Sequence, residues 1–194
     1  AAIGSGSTEE GESHIYLGTS AWAGITTQKN LKHKNGAVVL QSAAPDMNLL
    51  VGVTESAGAN LEWLIEKFYK YEKNDPAIKN IYEFINKETK GIPAGSEHLI
   101  FTPWMFGERC PVSTTTTRGT VFNLGPEHTR GHFVNALLEG VAFNLRWIFE
   151  NYKRDFGLSP SKIRAIGGGS VNMEGIFSFG HSSVRTACSV ISSL

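Results

Sequence analysis

Three glycine-centred turns carry the residue types that hold phosphate: Leu17-Gly18-Thr19-Ser20, Ala57-Gly58-Ala59-Asn60 and Ile166-Gly167-Gly168-Gly169-Ser170. Without a Cβ, glycine lets the backbone come close to a phosphate, and the exposed N–H groups of a turn or helix start are ready-made anion ligands. Hydrophobic runs precede the first and third turns. A single Gly-Thr-Ser is more often an ordinary turn than a phosphate loop, and glycine runs also permit close strand–helix packing. Three such turns in one chain point to a single nucleotide held between several loops.

Other residues invite chemistry and are better explained without it. His128 and His132 stand four apart, a spacing that can bind zinc, but no third ligand lies near them in sequence. They read as surface or helix-capping residues. Cys110 beside Arg109 has no histidine partner visible in sequence and reads as a structural cysteine. Glu108-Arg109 reads as an ion-pairing element in a loop at the edge of a cleft rather than a catalytic pair. Glu139, in the middle of an apolar helical stripe, reads as a buried hydrogen-bonding residue, and Trp63 and Trp147 as core or domain-interface residues.

The elements that must position the turns can be read from the periodicity. Strands are predicted at 14–17, 37–42 and 48–54, with Gly24 and the polar stretch 26–36 marking a turn between the first two. A helix follows Gly58, with Leu61, Leu64, Ile65, Phe68 and Tyr69 as its buried stripe. A second helix is predicted to begin at Asp75-Pro76, an N-cap followed by proline at the first helical position, and to end at Lys90-Gly91. A strand at 99–101, a long threonine-rich loop over 107–119 and an extended piece at 120–124 come next. The longest helix is predicted over 129–155, and a strand at 163–166 opens into the triple glycine. Residues 175–194 contain six serines, almost no charge and no clear period of either kind.

At 194 residues the chain has room for one domain with a real core. Its 41% hydrophobic content and 21 glycines suit an α/β protein. Eighteen basic side chains match eighteen acidic ones, so no field recruits nucleic acid or an anionic membrane. Two cysteines make no disulfide framework, and a reduced, cytoplasmic chain is the plain expectation. No apolar run approaches the roughly 20 residues that span a bilayer. The start, Ala1-Ala2-Ile3-Gly4-Ser5-Gly6, has neither an initiator methionine nor a signal-peptide pattern, and reads as the interior of a longer chain.

Six motifs in order resemble the C-terminal, nucleotide-binding domain of the FGGY carbohydrate kinases, the xylulokinase-like branch above all. They are Ile15-Tyr16-Leu17-Gly18-Thr19-Ser20; Glu55-Ser56-Ala57-Gly58 with Trp63; the run from Thr102-Pro103-Trp104 to Glu108-Arg109-Cys110-Pro111; Arg118-Gly119; Ala136-Leu137-Leu138-Glu139-Gly140-Val141-Ala142; and Ile166-Gly167-Gly168-Gly169-Ser170. The likeness covers residues 1–172 as one domain and leaves 173–194 as an atypical tail. It implies a ribonuclease H-like fold of the actin-like ATPase superfamily, α/β with a mixed sheet of about five strands flanked by helices.

The resemblance also implies roles. Gly18, Thr19 and Ser20 would meet the β- and γ-phosphates of ATP, and Gly58 the region of the α-phosphate and ribose. Glu62 stands where glycerol kinases carry a glutamine. Gly168, Gly169 and Ser170 would lie against the adenosine. Glycerol kinases place an asparagine where this chain has Met173, and Asn172 could substitute for it. Magnesium would come with ATP, with no metal ligands assigned in this chain. No catalytic residue is assigned either, because the family's general-base aspartate precedes the position matched by Ala1. Thr114 stands where the family usually has an aspartate or asparagine, which weakens any metal or sugar role for that loop. The implied function is ATP-dependent phosphorylation of a sugar, xylulose first among pentuloses, with a separate N-terminal kinase domain as partner; a homodimer is compatible with it. The alternative is a non-catalytic nucleotide-binding or interaction module of the same fold.

Overall fold

The computed structural model describes residues 1–169. A short helix α1 (Ala2–Ser5) leads into β1 (Glu12–Leu17) and β2 (Ala21–Thr27), followed by β3 (Val38–Gln41) and β4 (Asn48–Val53). Helices α2 (Gly58–Phe68), α3 (Lys70–Lys73) and α4 (Ile81–Thr89) come next. A 3₁₀ turn (Ser96–His98) precedes β5 (Ile100–Thr102) and β6 (Thr120–Phe122), and the long α5 (Arg130–Phe156) returns the chain to β7 (Lys162–Ile166). The main sheet has the order β3-β4-β2-β1-β7, and β5 and β6 form a separate two-stranded sheet. Within the main sheet β1–β2, β2–β4 and β3–β4 run antiparallel, and β7 joins β1 in parallel. The sheet is therefore mixed, as expected.

Strand β2 corrects the sequence reading, which took Gly24 for part of a turn. Gly24 lies inside a buried central strand opposite His14. A Cβ there would sit 2.9 Å from the His14 imidazole, so the glycine makes room for a wholly buried ring. A strand buried on both faces loses the alternation that would have revealed it.

The second helix also starts later than predicted. Asp75 accepts from the Ala77 N–H and closes only a turn; Asn80 is the true cap, its side chain accepting from the N–H groups of Tyr82 and Glu83. Helix α5 begins and ends close to expectation, with Thr129 as N-cap and Gly157 in the left-handed conformation as C-cap.

The core lies between α5 and one face of the sheet. Ile15, Leu17, Ile25 and Leu50 from the strands meet Val134, Leu137, Val141, Leu145, Ile148 and Tyr152 from the helix. Each such side chain contributes about 1.5–3 kcal/mol on full burial. Tyr152 satisfies its hydroxyl by donating to the Ala23 carbonyl at 2.8 Å. This packing fixes the sheet ends, and with them the turns that follow β1, β4 and β7.

Candidate functional site

The turn after β1 is built against the start of α2. The Gly18 carbonyl accepts from the Gly58 N–H at 2.9 Å, and the Thr19 carbonyl accepts from Ala57 and Ala59 at 2.9 and 3.0 Å. The first N–H groups of α2 are thus spent inside the protein, and what Gly58 supplies is close approach: a Cβ there would lie 2.6 Å from the Gly18 oxygen. With the turn's carbonyls engaged in this way, the Thr19 and Ser20 N–H groups have no partner among the described residues. Gly167, at φ +100°, turns the chain out of β7 while its backbone passes close to the Leu17 carbonyl. Beyond it Gly168 stands open, with no atom of the described residues within 4 Å of where a Cβ would be.

These pieces enclose a cleft of about 330 Å³. Of the sequence-predicted residues it is lined by Gly18, Thr19, Gly58, Glu62, Gly168 and Gly169; Ser20 is not on its wall. Ser170, Asn172 and Met173 lie outside the described residues. The rest of the wall was not foreseen. Leu17, Ala57 and Leu61 line the cleft beside the turns; α4 adds Tyr82, Ile85 and Asn86, and α5 adds Val134, Leu138 and Val141. Their apolar stripes were legible, but which helix would face the turns depends on tertiary packing.

A second set of residues holds the α2 start in place. Thr54 Oγ1 accepts from the Ala21 N–H and donates back to the Ala21 carbonyl, at 3.0 and 3.2 Å, closing the end of β4 onto β2. Ser56 and Asn60 both donate to the Pro103 carbonyl, at 3.1 and 2.8 Å. The buried Glu108 carboxylate accepts from the N–H groups of Glu55 and Arg109, each at 2.8 Å, and from Asn144 at 2.6 Å. Burial raises its pKa although these donors oppose the shift. Arg109 forms a bidentate pair with Glu55, whose pKa it lowers. The Glu108-Arg109 loop thus joins the turn between β4 and α2 to α5 as a structural ion-pairing element.

The remaining candidates settle into structural roles. Burial pushes the Cys110 thiol up to about 12, and its Sγ donates to the Asn35 carbonyl at 3.4 Å. His132 completes the capping box of α5 with Thr129, and His128 Nδ1 accepts from the Gly125 N–H at 2.8 Å. Glu139 accepts from the Gly95 N–H and the Ser96 hydroxyl at 2.7 and 2.8 Å. Among the described residues no group of three or more His, Cys, Asp or Glu side chains could hold a metal ion. No helix there is long and apolar enough to cross a membrane.

Fold and cleft together define an α/β domain whose glycine turns, from three distant parts of the chain, share one pocket. The chain belongs to the FGGY family of carbohydrate kinases, whose C-terminal domain it matches over residues 14–176. It is 29% identical over 172 residues to the xylulose kinase of Bacillus subtilis (strain 168), covering 88% of this chain and 33% of that protein. Among solved structures, a xylulose kinase from Brucella ovis has a TM-score of 0.76 at 26% identity, over 91% of this chain and 35% of that one. Plasmodium falciparum glycerol kinase, solved with ADP, shares the fold with a TM-score of 0.74 at 22% identity, over 99% of this chain and 40% of that one. The chain spans about a third of the length of the curated relatives it matches.

Proposed function

We propose that this chain supplies the ATP-binding half of a sugar kinase whose acceptor is a pentulose, xylulose first. The observation that carries the reading is the convergence of Gly18, Thr19, Gly58, Glu62, Gly168 and Gly169 on one cleft, three segments remote in sequence meeting within about 330 Å³. The parallel joining of β7 to an antiparallel β4-β2-β1 run supports reading the fold as ribonuclease H-like.

Phosphoryl transfer asks a protein for positioning and for charge neutralisation more than for covalent chemistry. The Thr19 and Ser20 N–H groups, without a partner among the described residues, are available to phosphate oxygens. Gly58 and Gly168 keep side chains out of the phosphate's and nucleoside's path, and the apolar faces of α4 and α5 suit a base. Magnesium fits as an ion carried on the phosphates, where it neutralises their charge, because it needs few protein carboxylates and keeps several waters. The sugar and the general base that takes the proton of its attacking hydroxyl belong, in this reading, to the N-terminal kinase domain that this chain would face across a cleft.

Calorimetric titration of the 194-residue chain with ATP and magnesium tests the reading. Saturable heat without xylulose-dependent ADP release is the expected result. No saturable heat would favour a module that keeps the fold without the nucleotide, and ADP production by this chain alone would overturn the assignment of catalysis to another domain.

A further inference from the structure

Three rings form a column on the face of the main sheet turned away from α5. Ile15 and Leu17 of β1 belong to the core against α5, so His14 and Tyr16 alternate to the other face. His14 lies opposite Gly24, and Tyr16 stands between Trp22 on β2 and Ile166 on β7. The Tyr16 and Trp22 rings stack with centroids 4.1 Å apart and planes 14° from parallel. Trp22 Nε1 in turn donates to His14 Nε2 at 3.4 Å. Burial lowers the His14 pKa, so the imidazole stays neutral and keeps the lone pair that accepts this bond. The column is thus anchored on a wholly buried side chain.

Its other end reaches two of the three glycine turns. The Tyr16 Cε1 edge lies 2.5 Å from where a Gly18 Cβ would be, and the opposite edge, Cε2, lies 3.0 Å from a Gly167 Cβ. Gly18 does not adopt the left-handed conformation that Gly167 does, so its backbone alone does not call for glycine. The Tyr16 ring does call for it, and stacking on Trp22 leaves that ring little freedom to swing aside. One rigid ring therefore sits between the first turn and the third.

We propose that Tyr16 is a positioning residue that sets the spacing of these two turns, so that one ligand can engage both at once; this rests on reading the cleft as a nucleotide site. In that reading the triphosphate meets the first turn and the nucleoside the third. A ligand joined across two contacts gains affinity only while both can form together, and the gain is lost when their separation drifts. Phenylalanine at position 16 keeps the spacer. Leucine, smaller and without a ring to stack on Trp22, does not.

The test is titration of the 194-residue chain, with magnesium, by ATP, adenosine and tripolyphosphate, repeated on Y16F and Y16L. Y16F should bind all three as wild type does. Y16L should lose about tenfold in ATP affinity, yet hold adenosine and tripolyphosphate, which meet one turn each, within about twofold. A merely structural role would weaken all three ligands together, and that result, or full ATP affinity in Y16L, overturns the proposal. So does failure of adenosine or tripolyphosphate to bind wild type. Gly18→Ala supplies a second arm: its fall in melting midpoint should shrink by more than half in the Y16L background, and an undiminished fall rules out the ring as the obstacle. Nuclear Overhauser contacts in wild type, from the Tyr16 ring to the α-protons of both Gly18 and Gly167, need no variant to fold; their absence also overturns the proposal. Absence of ATP binding by wild type overturns the nucleotide reading itself and the proposal with it.

Discussion

Two glycines of the cleft should respond oppositely to the same added methyl. At Gly58 an alanine Cβ would lie 2.6 Å from the Gly18 carbonyl oxygen, a backbone atom that can yield only by moving the turn. The better helix propensity of alanine, about 1 kcal/mol, works against that clash. We expect Gly58→Ala to lower unfolding free energy by about 1–2 kcal/mol net and to weaken ATP binding with it. Gly168 has no atom of the described residues within 4 Å of its Cβ position, yet it lines the cleft. Gly168→Ala should leave the thermal midpoint of the free chain unchanged and still reduce ATP affinity about tenfold. Melting curves beside ATP titrations of both variants check this; a G168A protein that binds ATP as wild type does would place the nucleotide elsewhere. The turns were legible because glycine acts locally, through backbone that needs no knowledge of its neighbours. Tyr82 and Asn86 were not, because nothing in their own segment says which cleft they will face.

At the scale of elements, Arg130 holds the helices around the cleft together. From the first turn of α5 it reaches Glu72 and Glu88 with separate guanidinium nitrogens, and its Cζ lies 4.4 Å from the centre of the buried Tyr69 ring. Arg130→Ala would strand two partly buried carboxylates and remove a cation–π contact, a cost of about 1–3 kcal/mol. Lysine should recover less than half, since one ammonium cannot serve two carboxylates and a ring as a planar fork does. Urea midpoints report the cost, and amide exchange should show α4 opening more than β1 or β2.

The far end of α5 is tied down differently. Asp155 accepts from Lys34 at 3.1 Å, from Asn35 at 2.6 Å and from the neighbouring Arg154. Arg154 first, then Asn35 and Lys34, hold its carboxyl well below the ordinary 3.8. A depressed native pKa gives stability that is present above the unfolded value and is lost as pH falls through the native one. Wild type and Asp155→Asn should therefore differ in urea midpoint at neutral pH and converge toward the acid end; a constant difference across that range would exclude the ionised contacts as the cause. Helix α5 was legible because its stripe is long and regular, whereas Gly24 and Asp75 misled because each is a strong local signal put to another use. Gly24 accommodates His14 inside a strand, and Asp75 caps a turn that stops before the helix.

The cleft belongs to the whole molecule, since its lining comes from β1, α2, α4, α5 and the turn after β7. Helix α5 packs on the main sheet, on β5 and on α4, so the described residues have one continuous core and should unfold in one cooperative step. A ligand that binds only the assembled cleft then stabilises everything by mass action. Magnesium–ATP at one hundred times its dissociation constant should add about 2.7 kcal/mol. For a chain of this size each kcal/mol raises the melting midpoint by about 2–4 °C, so the total should be about 5–10 °C. Far-UV circular dichroism and tryptophan fluorescence should report the same shift, because neither sheet nor helices can melt while the other keeps the cleft intact. Xylulose alone should produce none, since the proposed function gives the sugar's contacts to an N-terminal kinase domain. Circular dichroism and fluorescence shifts that disagree would mean that the turns and helices do not form a single unit, and a shift with xylulose alone would bring the sugar site onto this chain.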